Sequence, residues 1–288
     1  MNRALPVVVL LLSAAMWGLT WWPLKMFNAS GITGIRLILL TYGTTGLLLS
    51  FLLWRDRKHW AGHFRVLWLI GLLGGYANLA FATAMIYGDV VREMMLFYLA
   101  PVWGVLGGRL FLGEQIDKRR WLGVIFAMIG AWSILGGNKL FSNALSWIDL
   151  LALTAGMAFA LNNITIRATS RFPNGSKVAA IFIGCGLFAV TLMPFQRGEV
   201  LHIPPLLALG LAAFSLLWLL AASFASAWAI TRIEASRAAI LMIAELLVAV
   251  LSATLIGGEA LTTAELVGGS FIVVSAVLEA LRGDSGVQ

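Results

Sequence analysis

Charged residues are scarce in this chain of 288 residues, because they make up 11% of it, against about 25% in soluble domains. A soluble protein of this length needs more charge to cover its surface, so the composition excludes an ordinary soluble globule. Apolar residues make up 60% of the chain. They run in blocks of about 20, which matches the ~30 Å hydrocarbon core of a bilayer. The composition therefore predicts an integral membrane protein.

Cysteine is nearly absent as well, since Cys185 stands alone and cannot form an intramolecular disulfide. The chain also lacks a G-x-x-x-x-G-K-[ST] loop for ATP phosphates, an H-E-x-x-H motif and paired cysteines. His59 and His63 have helical spacing but lie in a basic loop without a third ligand. We therefore expect no ATP-driven pump, no metal, no cofactor and no enzyme.

Ten apolar spans account for most of the chain, and their length and lack of alternation favour α-helices over barrel strands. We reject a cleaved signal peptide at Ser13-Ala14-Ala15, because the first apolar run continues through Trp17 to Leu24. The predicted fold is an all-α integral membrane protein with ten transmembrane helices. Their approximate bounds are 5–26, 32–53, 66–87, 91–112, 121–138, 147–167, 178–195, 204–230, 236–257 and 262–281.

The basic residues predict the orientation in the membrane. With the N-terminus in the cytoplasm, that side receives fifteen of the 20 lysines and arginines, a strong bias under the positive-inside rule. The formal charge of +7 then needs no nucleic-acid partner. We predict that both termini are cytoplasmic. The five basic residues on the other side are Lys25, Arg36, Arg92, Lys139 and Arg197.

The two halves of the chain align when one is shifted by 145 residues. The shift places Arg92 on Arg237, and Gly113-Glu114 on Gly258-Glu259. Apolar composition alone does not explain these matches, because the residue types are scarce or distinctive here. The alignment predicts an internal repeat.

Each half holds five spans, and an odd number makes the second half enter the membrane from the opposite side. We therefore predict two inverted five-helix repeats, at 1–140 and 141–288. Many secondary transporters use this arrangement to build a substrate site at the membrane midplane.

Two segments resemble the end of a repeat in the drug/metabolite transporter superfamily, EamA type: LFYLAPVWGVLGGRLFLGEQIDKRRWLGVIFAMIGAWSIL and MIAELLVAVLSATLIGGEALTTAELVGGSFIVVSAVLEAL. The most specific features are Pro101, followed thirteen residues later by Glu114, and the second Gly-Glu pair. The resemblance covers essentially the whole chain and implies a ten-helix carrier with both termini inside. Its short loops, many aromatic residues and the stretch DVVREMMLFYLAPVW are most similar to the YddG-type exporters of aromatic amino acids.

Glu245 is the sharpest candidate for function, since it lies near the centre of a span and about ten residues from either water phase. A carboxylate at that depth is costly unless it faces a cavity, pairs or is protonated. Glu245 is predicted to bind the amine of a substrate or a coupled proton. The alternative is a helix-packing carboxyl, because the resemblance implies Glu at this place whatever the substrate.

Three residues are candidates for gating. Arg92 opens span four, Arg237 opens span nine at the equivalent place, and Pro101 interrupts the backbone bonding of span four. Proline in mid-span bends or loosens a helix. Charges at helix ends are also commonly just solvated or snorkelling, and both interpretations stay open.

Amides and aromatic rings inside the spans complete the candidate substrate site. An amide at that depth needs a partner across a helix interface or in a wet cavity, and we leave both roles open for Asn78, Asn162 and Asn163. Aromatic rings bind an indole or phenyl group by stacking, and an ammonium over a ring face. We expect Trp17 and Trp228 to lie deepest. The predicted substrate-binding residues are Trp17, Tyr76, Asn78, Tyr98, Asn163, Trp228 and Glu245.

These features predict a secondary carrier of the bacterial inner membrane that exports small amphipathic metabolites, above all aromatic and other neutral amino acids, by alternating access. Its expected partners are the lipid bilayer and a small-molecule substrate, and its oligomeric state stays open, with a monomer as one option. Transport direction and proton coupling also stay open. The rivals are an EamA-type carrier for a cationic drug, purine or sugar derivative, and a membrane scaffold that transports nothing.

Overall fold

The computed structural model describes residues 4–32, 34–112, 118–134, 146–169, 172–195, 203–230, 232 and 235–280. Within these ranges the chain consists of helices joined by short turns, and they contain no strand. The helices are α1 (Ala4–Gly18), α2 (Trp21–Ala29), α3 (Gly34–Ile38), α4 (Thr44–Arg55), α5 (Arg57–Trp60), α6 (Phe64–Tyr87), α7 (Val90–Phe97), α8 (Ala100–Leu112), α9 (Lys118–Ile134), α10 (Trp147–Ala168), α11 (Asn174–Leu192), α12 (Pro205–Ala213), α13 (Leu220–Ile230), α14 (Ala235–Leu255) and α15 (Thr263–Ala280).

Seven stretches of helix are long and apolar enough to cross a membrane: Ala4–Ala29, Gly34–Arg55, Arg57–Tyr87, Val90–Phe111, Trp147–Ile166, Asn174–Phe195 and Pro205–Ile230. Three shorter apolar helical stretches, Trp121–Ile134, Leu241–Leu255 and Thr263–Ser275, lie where the sequence predicts the remaining spans. An all-helical membrane-embedded protein that crosses the membrane several times follows from these helices.

Prolines divide two of the long stretches. The turn at Leu19 and Thr20 separates α1 from α2, and Pro23 follows it. Proline has no amide hydrogen for the carbonyl four residues earlier, which here belongs to Leu19. The turn between α7 and α8 precedes Pro101 for the same reason.

Side-chain caps start two helices that matter below. Asp89 accepts a hydrogen bond from the Arg92 amide at 2.9 Å and begins α7. Ser146 and Asp149 form a reciprocal capping box at the start of α10. Such caps stabilise a helix start by about 1 kcal/mol, and they hold both carboxylates at one end of the bundle.

The helices pack in a reciprocal pattern. Helix α1 packs against α13 and α14, whereas α10 packs against α6, α7 and α8. The α9 and α15 helices pack mainly against each other. Close approach at α1 and α14 requires Gly18, because a Cβ there would lie 2.6 Å from the Glu245 carbonyl oxygen. Without a side chain at this point, the two backbones meet at the depth of Glu245.

The surface of the bundle is as apolar as its interior. Leu206, Phe195 and Leu255 are each more than 80% exposed, a pattern that suits contact with lipid chains. The main buried cluster runs from Trp21 and Leu24 through α6 and α7 to Ile272. Trp21 also ties α2 to α14, since its Nε1 donates to Ser252 Oγ at 2.9 Å.

Candidate functional site

Glu245 lies halfway along α14 and is only 8% exposed. Its side chain neighbours Tyr98, which sits in the turn between α7 and α8. The Tyr98 hydroxyl donates a hydrogen bond to the Met242 carbonyl oxygen at 3.0 Å. The turn before Pro101 therefore places the Tyr98 phenol near Glu245, the mid-helix carboxyl that the sequence analysis singled out.

Trp17 reaches the same level of the bundle from α1. It precedes Gly18, which contacts the Glu245 backbone, and its partly buried ring packs on the main buried cluster. Tyr98 thus adjoins the turn of α14 that carries Glu245, and Trp17 lies on α1 next to the point where that helix meets α14. We call these three residues the central site.

Tyr76 lies in a neighbouring group on α6. Its hydroxyl is 2.8 Å from Thr154 Oγ1 on α10, and its ring packs edge-on against Phe188 of α11. The Thr154 hydroxyl also donates to the Leu150 carbonyl oxygen at 2.7 Å. The structure therefore gives Tyr76 a role in packing α6, α10 and α11 together.

The three amides occupy different surroundings. Asn78 donates to the Gly74 carbonyl oxygen of its own helix at 2.8 Å. Asn163 is exposed on α10, while Asn162 is buried against Gly74 of α6. The Asn162 Oδ1 atom is buried and has no hydrogen-bond partner within the described ranges. Asn162 is therefore the amide that faces the interior, and Asn163 points away from it.

Trp228 is not deep in the bundle, which corrects the sequence expectation. It lies two residues before α13 ends at Ile230, and the Arg232 guanidinium stacks over its ring at 4.4 Å. An aromatic ring and an arginine at a helix end are typical of the membrane interface. Sequence reasoning also did not anticipate the hydroxyl contact between Ser13 of α1 and Ser226 of α13.

Arg92 joins three helices at one end of the bundle. Its Nε and Nη2 atoms donate to the two carboxylate oxygens of Asp149 at 2.6 and 3.1 Å. Its Nη1 atom donates to the Ile134 carbonyl oxygen at the end of α9, at 2.9 Å. A bidentate pair of this kind is strong and geometrically specific. The sequence singled out Arg92, but Asp149 as its partner was missed.

A second ion pair lies at the same end. Lys25 Nζ is 3.0 Å from Glu259 Oε1 and 3.1 Å from the Gly88 carbonyl oxygen. The other oxygen of Glu259 accepts from the Val91 amide at 3.0 Å. These contacts connect α2 and the α6–α7 turn to the segment between α14 and α15. We call the end that carries both ion pairs the charged end.

The opposite end contains a smaller polar group. Ser176 at the start of α11 donates to Asp56 Oδ2 at 3.0 Å, and Arg55 pairs with Asp56 Oδ1 at 3.0 Å. Burial raises the pKa of Asp56, but the hydrogen bonds from Arg55 and Ser176 outweigh burial and hold that pKa below its usual range. Asp56 is therefore an ionised link between α4 and α11.

Some predicted residues lie beyond these observations. Arg237 belongs to α14 by its backbone, but its side chain is outside the described part of the structure, and so are the side chain of Pro101 and all of Glu114. Within the described residues, no group of three or more His, Cys, Asp or Glu side chains is placed to hold a metal ion.

The first half of the chain matches a known family. Residues 4–136 match the model of the EamA-like transporter family. Over these residues the chain is similar to that family. The match supports the resemblance inferred from the sequence for the first half of the chain.

Two further comparisons give a curated relative and a solved structure. The chain is 41% identical over 63 residues to an uncharacterized transporter in the cobO 3' region of Sinorhizobium sp. The match covers 22% of this chain and 45% of that protein, so the chain spans less than half the length of this curated relative. One solved structure, a crystal structure of a protein whose function is not stated, is 16% identical to this chain and has a TM-score of 0.59. The match covers 98% of this chain and 97% of the chain in that structure. At that identity the likeness establishes a shared fold over nearly the whole chain.

Proposed function

We propose that this protein is a secondary membrane transporter that exports small amphipathic solutes, chiefly aromatic and other neutral amino acids. The observation that carries the proposal is the central site, where the buried mid-helix carboxyl of Glu245 lies near Tyr98 and at the level of α1 that carries Trp17. A carboxylate binds an ammonium group, and aromatic rings stack on an indole or phenyl group. The resemblance to YddG-type exporters supports the same substrate class.

The proposed architecture is ten membrane helices in two inverted repeats, at 1–140 and 141–288. The packing pattern supports it, because the shift of 145 residues maps α10 onto the α1–α2 stretch and α6 onto α12–α13. The contacts of α10 with α6 and α7–α8 then correspond to those of α1 with α13 and α14. Such symmetry lets two repeats exchange conformations, which is the basis of alternating access.

The charged end is the proposed outer gate, with Arg92 as its central residue. In this proposal the end faces outside the cell and both termini are cytoplasmic, which the positive-inside rule supports, and the protein lies in a bacterial inner membrane. The pairs of Arg92 with Asp149 and of Lys25 with Glu259 connect helices that must separate for outward release. The turn before Pro101 lies between this gate and the central site, so it is the proposed hinge.

Efflux from proteoliposomes tests the proposed function. Vesicles that contain the purified protein are preloaded with radiolabelled tryptophan, phenylalanine, leucine, adenine or a cationic dye, and the loss of each solute is measured. We expect the fastest efflux for the aromatic amino acids. No flux of any amino acid would reject the proposed substrate class, and adenine or dye flux alone would assign the chain to one of the rival carriers.

The central site is tested by Glu245→Gln and Trp17→Ala. A hydrogen bond to a charged group contributes about 1.5–3 kcal/mol, so we expect Glu245→Gln to slow tryptophan efflux by about tenfold or more. The matched control is Glu265→Gln, which changes a buried carboxyl that is bonded to Thr262 at the start of α15. If both variants lose the same activity while remaining folded, Glu245 has no specific role in binding.

A further inference from the structure

A buried carboxyl at the charged end is not used by either ion pair. Glu93 lies in the first turn of α7 and is 2% exposed. Its side chain occupies a space that Gly88 leaves open, because a Cβ on Gly88 would lie 2.6 Å from Glu93 Cγ. The fold therefore makes room for a carboxyl side chain away from water.

Glu93 lacks, among the described residues, the partners that a buried charge requires. Its Oε2 atom is buried and has no hydrogen-bond partner in that part of the chain. The neighbouring cation, Arg92, is directed toward Asp149 and the Ile134 carbonyl oxygen instead. An ionised carboxylate left unpaired in such a place is strongly unfavourable.

The Glu93 side chain lies against the start of α10, where Asp149 is. A Cβ on Gly88 would lie 2.6 Å from Glu93 Cγ and 2.8 Å from Ile148 Cγ2, and Asp149 is the residue after Ile148. Two carboxyls in contact cannot both be ionised without strong repulsion, and they commonly share one proton. Because Arg92 and Ser146 bind Asp149 in its ionised form, the proton belongs on Glu93.

The other charged groups around Glu93 do not neutralise it. Asp89 precedes it on the same segment, and Glu265 of α15 lies close enough to act on both Asp89 and Arg92. Lys25 is paired with Glu259. Among the described groups that act on Glu93 or its neighbours, the carboxyls of Asp89, Asp149 and Glu265 outnumber the bases Arg92 and Lys25, and both of these bases are already paired with carboxylates.

We propose that Glu93 and Asp149 form a proton-binding site that holds one proton while the charged end is closed and releases it to water when that end opens. The proton forms the hydrogen bond from Glu93 to Asp149, and its release leaves two carboxylates that repel each other. Low pH therefore favours the closed form, and high pH favours the open form. The coupling of this proton to solute movement rests on the proposed transport function, whereas the proton site itself does not.

Infrared spectroscopy tests the site without any substrate. A pH titration of the purified protein follows the C=O stretching band of protonated carboxylic acids. We expect Glu93→Gln to remove one component of this band, while Glu265→Gln retains it. The Glu245→Gln variant separates any contribution from the central site. An unchanged band in Glu93→Gln would overturn the proposal.

Cysteine labelling tests the link to opening. Val90 is fully buried at the start of α7, so Val90→Cys, in a chain with Cys185→Ala, reports opening of the charged end to a water-soluble thiol reagent. At each pH, the labelling rate of this cysteine is divided by its labelling rate in a chain that also carries Glu93→Gln. The division cancels the effect of pH on the reactivity of the thiol, because both chains carry the same cysteine. We expect this ratio to rise by about tenfold at alkaline pH. A rise of this size corresponds to a difference of about one unit in the pKa of the Glu93–Asp149 site between the closed and open forms.

Two control variants keep the test decisive. Glu265→Gln should preserve the alkaline rise, and Glu93→Asp should restore it, because Asp keeps a carboxyl near Asp149. If Glu93→Gln does not fold, a shifted midpoint of the infrared band in Glu93→Asp supports the site, and an unshifted one rejects it. A flat labelling ratio would also reject the link to opening, whatever the efflux assays show about transport.

Discussion

The two ends of the bundle hold their charges in different ways. At the charged end, Arg92 pairs with Asp149 across two helices, and these side chains are 29% and 4% exposed. At the opposite end, Arg55 pairs with Asp56, the next residue in the chain, and Arg55 is 57% exposed. A pair between helices restrains the distance between them, whereas a pair within one turn does not. Ion pairs between helices therefore hold the charged end closed, whereas the pair of Arg55 with Asp56 does not join two helices.

Buried residues form more than one cluster. Leu10 and Ala229 form one small buried cluster with α14, and Leu67, Ile70 and Phe172 belong to another. The main buried cluster reaches both ends, because it contains Trp21 near the charged end, and Leu49 and Ala179 near Asp56 and Ser176. The described difference between the two ends therefore lies in their ion pairs and not in the extent of the main cluster. The predictions below alter one end at a time.

The largest effect is expected at Asp149. The change Asp149→Asn removes the bidentate partner of a partly buried arginine, and unpaired buried charges are costly. We expect a loss of about 2–4 kcal/mol in stability, measured as thermal unfolding in detergent. The double variant Arg92→Gln/Asp149→Asn should recover part of that loss. Equal losses in the single and double variants would show that the pair does not hold this end together.

A smaller loss is expected for the second pair of the charged end. The change Glu259→Gln removes the ion pair with Lys25 but retains an oxygen for the Val91 amide. We expect a loss of about 1 kcal/mol, since the pair is partly exposed. The loss should shrink in high salt. A loss that is independent of salt would point to disrupted packing instead.

At the opposite end, Ser176→Ala removes one hydrogen bond to Asp56. Because the folded-state pKa of Asp56 is lowered, its stabilisation is present above the unfolded-state pKa, about 4, and is lost as the pH falls through the lower folded-state value. We expect Ser176→Ala to lose about 1 kcal/mol at neutral pH. Melting curves should converge with those of the unmodified chain in acid, and a constant difference would contradict this role for Asp56.

The smallest effect is expected for Arg57→Gln at the same end. Arg57 stacks over the Trp54 ring at 4.9 Å, and both residues are exposed. Such a contact contributes about 0.5–1 kcal/mol at most, so thermal unfolding should shift only slightly. A shift as large as that of Asp149→Asn would remove the contrast between the two ends.

The sequence was informative about which segments are helical, because a helix in lipid must satisfy its own backbone and its length must match the bilayer. It was much less informative about which face of each helix points inward. Asn162 and Asn163 illustrate this, since the interior receives Asn162 while the predicted site residue was Asn163. The lipid-facing surface is as apolar as the core, so hydrophobic periodicity does not distinguish the two faces.

Partners across the bundle were also beyond sequence reasoning. Arg92 stood out because a charge within an apolar chain is conspicuous, yet Asp149 is 57 residues away and no spacing rule joins them. The same holds for Tyr98 and Met242, which meet only because α7 ends in a turn beside α14. Contacts of this kind depend on how the helices pack.

The sequence by itself determined that the chain is helical and membrane-embedded, and it singled out Glu245 and Arg92, because isolated charges in an apolar chain are costly and therefore conspicuous. Only the tertiary structure decided that Tyr98 lies near Glu245, that Asp149 binds Arg92, and that Glu93 is buried with no partner for Oε2 among the described residues. The physical reason is that the cost of burying a charge is local to the residue, whereas its compensation comes from side chains on other helices.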